Sequence, residues 1–303
     1  MRLSSLLFIV LLSLFAASQQ LYSQMLNNSK GNAFSDDPFF NTEFIAKNKI
    51  HIIKGKRSSK KEMDIIRNKG LETYYEFGAD GNLQRQYSTF YTGGRKDTAF
   101  IEYQYTDRGD LKLLRRNDNH GFYAYEYEYD EEGRIIKEEY YREDNEGTSR
   151  YDFIPGKRYI IVSETYEYQQ LDEIVKKESF NNYGKKYKEE FFYYDDHDYL
   201  KEHTSKLIIN NRRSRTTFSY NERGLLEEKI VTNDLSREED FVRTTYAYDE
   251  HNNLLEEKEY SGEQYKFNRQ VMYEPSMVVK ALLTKDVDIN FIRIIEYSYQ
   301  FYD

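Results

Sequence analysis

The chain has 303 residues, with no cysteine, no tryptophan and only 3 prolines against 31 tyrosines and 19 phenylalanines, and its formal charge is −9. The missing cysteines exclude a disulfide framework and a lipid-modified N-terminal cysteine. The negative balance argues against a nucleic-acid partner, and so many aromatics argue against disorder. Tyrosine suits pleated, half-buried surfaces, so the chain is expected to be folded and all-β.

The N-terminus opens with Met1-Arg2, an apolar run over Leu6–Ala17, and small residues at Ala16-Ala17-Ser18. That pattern predicts a signal peptide over residues 1–18, because the run falls short of the roughly 20 residues a membrane helix needs. The mature chain is expected to be exported, without a transmembrane segment, to the periplasm, the outer surface or the medium. Residues 19–71 read as an irregular leader and N-terminal cap, with a loop at Ser35–Pro38 and a strand at Lys49–Lys54. Lys54, Lys56, Arg57, Lys60 and Lys61 form a basic patch. It reads as a solvated loop between two strands, rather than a contact for an anionic glycan or headgroup.

From residue 72 to 260 a unit recurs: aromatics at alternate positions, a short polar turn, then an aliphatic residue. Its copies are Tyr75–Leu83, Tyr103–Leu111, Tyr127–Ile135, Tyr166–Ile174, Phe192–Leu200, Phe218–Leu226 and Tyr246–Leu254. One turn position falls at Gly81, Gly109, Gly133, Asp172, Asp198, Gly224 and Asn252. Glycine, and after it Asn and Asp, tolerate the left-handed backbone that a type I turn followed by a bulge requires there. Asp130, Asn221 and Asp249 can start such turns by accepting backbone N–H groups two residues on. Each unit is thus expected to be one hairpin, with its aromatic rows on one face. Residues 261–303 read as a C-terminal cap: Tyr273-Glu274-Pro275 as a broken unit, then closing strands at Ala281–Asp288 and Phe291–Tyr302.

The unit Y-x-Y-D-x-x-G-x-[LI], best seen in Tyr127–Ile135 and Tyr246–Leu254, resembles the YD repeat of RHS-type secreted proteins. Tyr91–Asp97 more weakly resembles MORN-variant repeats. The resemblance implies a meandering antiparallel array of about seven two-stranded repeats, a curved or spiralled open sheet with caps at both ends. It also implies a bacterial, exported interaction scaffold rather than an enzyme.

No cofactor or metal is expected. His197, beside Asp195, Asp196 and Asp198, and His251, at the same turn position of another copy, read as ordinary turn composition. No serine elbow, phosphate loop or zinc spacing occurs, so no catalytic residue is assigned. Tyr125, Tyr127 and Tyr129 are the candidate ligand-binding residues, because rings with a polar tip can stack on sugars or peptide aromatics. The expected partner is an envelope protein or a glycan. A transmembrane barrel is disfavoured because Glu and Lys interrupt most strands.

Overall fold

A computed structural model describes residues 24–118, 121–148, 153–235, 237 and 240–303, with only the backbone of Asp118. The predicted signal peptide lies outside them.

Among the described residues, eighteen strands and one short helix follow in chain order. Helix α1 (Thr42–Lys47) precedes β1 (Ile50–Lys61), β2 (Arg67–Phe77), β3 (Leu83–Thr92), β4 (Arg95–Tyr105), β5 (Leu111–Asp118) and β6 (Gly121–Tyr129). Next come β7 (Ile135–Asn145), β8 (Pro155–Leu171), β9 (Ile174–Phe180), β10 (Lys186–Tyr194), β11 (Leu200–Leu207) and β12 (Arg213–Tyr220). The last six are β13 (Leu226–Thr232), β14 (Phe241–Tyr248), β15 (Leu254–Ser261), β16 (Gln264–Tyr273), β17 (Val279–Asp286) and β18 (Phe291–Phe301).

Every strand pairs antiparallel with its neighbours in sequence, and β1 pairs along its whole length with β18, from Ile50↔Phe301 to Lys61↔Phe291. The sheet is therefore a closed up-and-down barrel. This corrects the expected open or spiralled array of seven repeats: the repeats are hairpins of one ring, and closure removes the sheet edges that an open array leaves bare. Of the regions read as caps, β1 and the start of β2 on one side and β16, β17 and β18 on the other are wall. The basic patch is not a loop but the second half of β1, with Arg57 reaching Thr73 and Ser88 from β1.

Most unit turns share one hydrogen-bond pattern. In the copy at Asp130, Gly133 N–H donates to the Asp130 carbonyl, and Asp130 N–H to the Arg134 carbonyl. The Asp130 carboxylate accepts from Arg134 N–H at 2.8 Å. The fourth residue has positive φ: 84° at Gly81, 87° at Gly109, 79° at Gly133, 62° at Asp198, 74° at Gly224 and 69° at Asn252. The copy at Asp172 (φ 50°) closes more tightly, Leu171 pairing directly with Ile174. The supposedly broken unit is complete, with Met277 (φ 65°) in the glycine position. All these turns lie at one rim of the barrel.

Residues 24–48 fill that end of the lumen. Met25 and Asn27 pair with the backbone of Phe39 and Asn41, folding the segment into a loop, and Asn41 caps α1 by accepting from Phe44 N–H at 3.1 Å. Phe34 packs under Arg269 of β16, while the carbonyl of Asp36 accepts from Tyr103 of β4. Those strands lie six steps apart round the wall (β17, β18, β1, β2, β3, β4), about 29 Å at ordinary strand spacing. A span with only Ser35 between its ends reaches both because it crosses the lumen. Met25, Leu26, Phe39, Phe40, Phe44 and Ile45 are all buried against Tyr75, Phe77, Tyr103, Leu226, Tyr246 and Val279. The leader is the core of the barrel.

Candidate binding site at the plugged mouth

Side chains alternate across the wall, and opposed residues of an antiparallel pair share a face. Since Tyr75, Tyr103 and Tyr246 pack on the plug, their registers assign the inner face throughout. Tyr123, Tyr125, Tyr127 and Tyr129 of β6 point inward with Tyr140 and Glu138 of β7. The outer face of the same strands carries Glu126, Glu128, Lys137 and Glu139.

The plug divides the mouth into two clefts. One, of about 720 Å³, lies between Asn32, Asp37, Phe40 and Asn41 of the plug and Tyr105, Leu111, Tyr127, Tyr129 and Glu138 of the wall. The other, of about 670 Å³, lies between Asn27, Asn28 and Lys30 and an aromatic wall of Phe192, Tyr194, Tyr199, Phe218, Tyr220 and Tyr248.

The candidate tyrosines differ in what they do. Tyr129 donates to the Leu111 carbonyl at 2.6 Å, and burial, with Asp110 and Glu138 nearby, raises its phenol to about 12. Tyr125 stacks on Tyr140 with ring centroids 4.5 Å apart. Tyr127 turns its ring into the first cleft, where burial, Glu138 and Asp37 raise its phenol. Tyr127 and Tyr129 thus line a cleft, and Tyr125 lies beside it.

The second cleft was missed in the sequence, although Tyr194, Tyr220 and Tyr248 occupy the same place in their copies as Tyr129. No local signal marks Asn27, Asn28 and Lys30, which belong to the aperiodic leader.

Deeper in the lumen, β7 to β11 carry a network of charges. Glu190 accepts from His203 at 3.0 Å and pairs with Lys188 at 3.0 Å. Tyr166 donates to Glu164 at 2.9 Å, Tyr187 donates to Glu164 at 2.6 Å, and Lys177 sits 3.7 Å over the Tyr166 ring. Burial alone would raise the Glu190 carboxyl, but the His203 hydrogen bond and the charges of Lys188 and Lys177 hold it at about 2. Burial pushes the Lys177 amine down, and burial with Glu164 pushes the Glu138 carboxyl up. These groups satisfy one another, and none is a nucleophile poised beside a base.

At the turns, His197 is exposed, and the Asp195 carboxylate accepts the N–H groups of His197 and Tyr199. Among the described residues no cluster of three or more His, Cys, Asp or Glu could hold a metal ion.

No protein-family model and no curated protein matches the chain. The resemblance to YD repeats of RHS-type proteins, with the weaker one to MORN-variant repeats, is thereby corrected: no family supports it, and the ring is closed. Among solved structures, the chain is similar to a porin-like protein from Bacteroides uniformis ATCC 8492 (TM-score 0.39, 11% identity, 83% of this chain and 98% of that one). It is also similar to one from Bacteroides vulgatus ATCC 8482 (0.30, 9%, 70% and 96%). A third likeness is to TcdB2-TccC3 (0.22, 12%, 72% of this chain and 14% of that one). The barrel rests on its own strand pairing, not on these likenesses.

Proposed function

We propose that the chain is an exported, water-facing barrel of the bacterial envelope that binds rather than catalyses, and that it takes a sugar at the plugged mouth. The observation that carries this is the pair of clefts in which tyrosine and phenylalanine faces meet amide and charged groups of the plug. Rings supply the apolar platform a sugar face needs, and Asn27, Asn28, Lys30, Asp37 and Asn41 offer donors and acceptors for its hydroxyls.

The outer wall supports a water-facing barrel. A membrane-spanning barrel presents an apolar band about 25 Å tall between aromatic girdles. Here the outer face carries ion pairs around the ring: Lys54–Glu72 at 2.9 Å, Lys137–Glu128 at 2.9 Å, Lys176–Glu178 at 2.6 Å and Lys258–Glu256 at 2.6 Å. The signal-like N-terminus supports export.

The test is retention of the purified protein, without detergent, on an array of bacterial and host glycans, with Tyr127→Thr and Tyr194→Thr variants beside it. Each ring faces a cleft, and among the described residues neither hydroxyl makes a hydrogen bond to the plug. Selective retention that falls at least tenfold in one variant is expected. Silence across the array sinks the sugar reading, and a protein that stays dispersed only in detergent sinks the water-facing one.

A further inference from the structure

Strand β8 is the longest in the wall, but β9 meets it only from Thr165 onward, where Thr165 pairs with Phe180. On its other side β7 pairs with it as far as Pro155. From Pro155 to Glu164 the strand therefore has a neighbour on one side only. Among the described residues no backbone hydrogen bond reaches this stretch from the open side.

The bare edge is apolar. Tyr159, Ile160, Ile161 and Val162 are 43%, 60%, 51% and 42% exposed. A bulge at Ile161 sets Ile160 opposite Tyr141 on the outer face and Val162 opposite Tyr140 on the inner face, so both faces of the edge carry a branched side chain. Proteins ordinarily blunt such an edge with charge, proline or a short strand. Here Pro155 stands only at the start of the stretch, and its two basic residues are engaged within the chain: Lys157 lies 5.0 Å over the Tyr159 ring, and Arg158 donates to Glu126 on the outer wall at 2.8 Å.

We propose that this edge is an interface between two copies of the chain, β8 of one protomer adding antiparallel to β8 of the other around a two-fold axis. The free N–H and C=O groups select an extended strand as partner. The branched residues on both faces select a strand that is apolar on both sides. Among the described residues the stretch that combines such faces with a free backbone edge is this one, so a second copy supplies the match. The contact is isologous and closes at two copies instead of growing into a fibre.

Sedimentation equilibrium from micromolar to near-millimolar protein tests it, with hydrogen exchange measured in parallel. Wild type is expected to reach twice the monomer mass, with slowed exchange over residues 156–164 that follows concentration. An Ile160→Lys/Ile161→Lys variant is expected to lose both while keeping its circular dichroism. Ile161→Lys alone gives the same reading if the double variant does not fold. A wild type that stays monomeric throughout overturns the proposal. So does a dimer whose 156–164 amides exchange as in the monomer, or a variant that dimerises like wild type.

Discussion

The hydroxyl of Tyr129 donates to the carbonyl oxygen of Leu111 at 2.6 Å, and the same bond recurs around the rim. Tyr105 reaches Leu83, Tyr168 reaches Ile135, Tyr220 reaches Leu200, Tyr248 reaches Leu226 and Tyr273 reaches Leu254, all between 2.9 and 3.0 Å. Tyr299 reaches Val279 in the same way. In the first six cases the tyrosine entering one turn bonds the aliphatic residue leaving the turn before it, and Tyr299 makes the same bond from β18, the last strand. The two strands are neighbours that no turn joins at this rim. The latch explains why the second aromatic of the unit is tyrosine rather than phenylalanine in these copies.

Tyr129→Phe should therefore cost about 1 kcal/mol, the net worth of one such hydrogen bond. Tyr127→Phe, which breaks no latch, should leave stability within about 0.5 kcal/mol of wild type. Urea denaturation of the two variants side by side checks this, and equal losses would remove the latch as the explanation.

Gly81 and Gly109 share a left-handed backbone, with φ of 84° and 87°, but not their surroundings. A β-carbon at Gly109 meets open space, whereas one at Gly81 overlaps the Thr42 carbonyl at the start of α1. Gly109→Asn should cost about 1 kcal/mol or less, since Asn tolerates this conformation. Gly81→Asn should lower the melting temperature far more, because the plug must shift. Equal melting temperatures would show that backbone conformation alone sets the penalty.

Phe39 of the plug is 1% exposed and meets Phe34, Phe40 and Tyr75 at ring-centroid distances of 5.1, 4.5 and 5.9 Å. Phe39→Ala should cost about 3–5 kcal/mol, as buried phenylalanine truncations do. If the plug were an accessory insert, the loss measured by denaturant titration would be near zero.

Glu190 gives the acid limb a defined window. Its carboxyl sits at about 2 in the fold against an ordinary 4.5. A carboxylate held down stabilises the fold above its unfolded value, and that contribution is lost as pH falls through the folded one. Wild type should lose stability between these two values more steeply than Glu190→Gln. Parallel acid titrations followed by circular dichroism would contradict this by falling with the same slope.

Strand periodicity and turn chemistry are local, so the all-β class and the hairpin units were legible in residues such as Tyr127, Asp130 and Gly133. Ring closure was not. It rests on Ile50 meeting Phe301, and nothing in β1 names β18 as its neighbour. The plug was hidden for a related reason: Met25, Phe39 and Phe44 follow no period because they pack against many strands at once. Half of the candidate site was legible as an aromatic row, and the half that the leader contributes was not.

The pairing of the first strand with the last also sets an order of events. While the chain emerges N-terminus first, β1 has only β2 beside it, and its other edge must wait until the final eleven-residue strand is delivered. Pairings this distant in sequence form slowly and leave apolar surface open meanwhile. Truncation anywhere before Phe291 would leave the ring unsealed, so a prematurely ended product should be a target for chaperones and proteases rather than a smaller barrel.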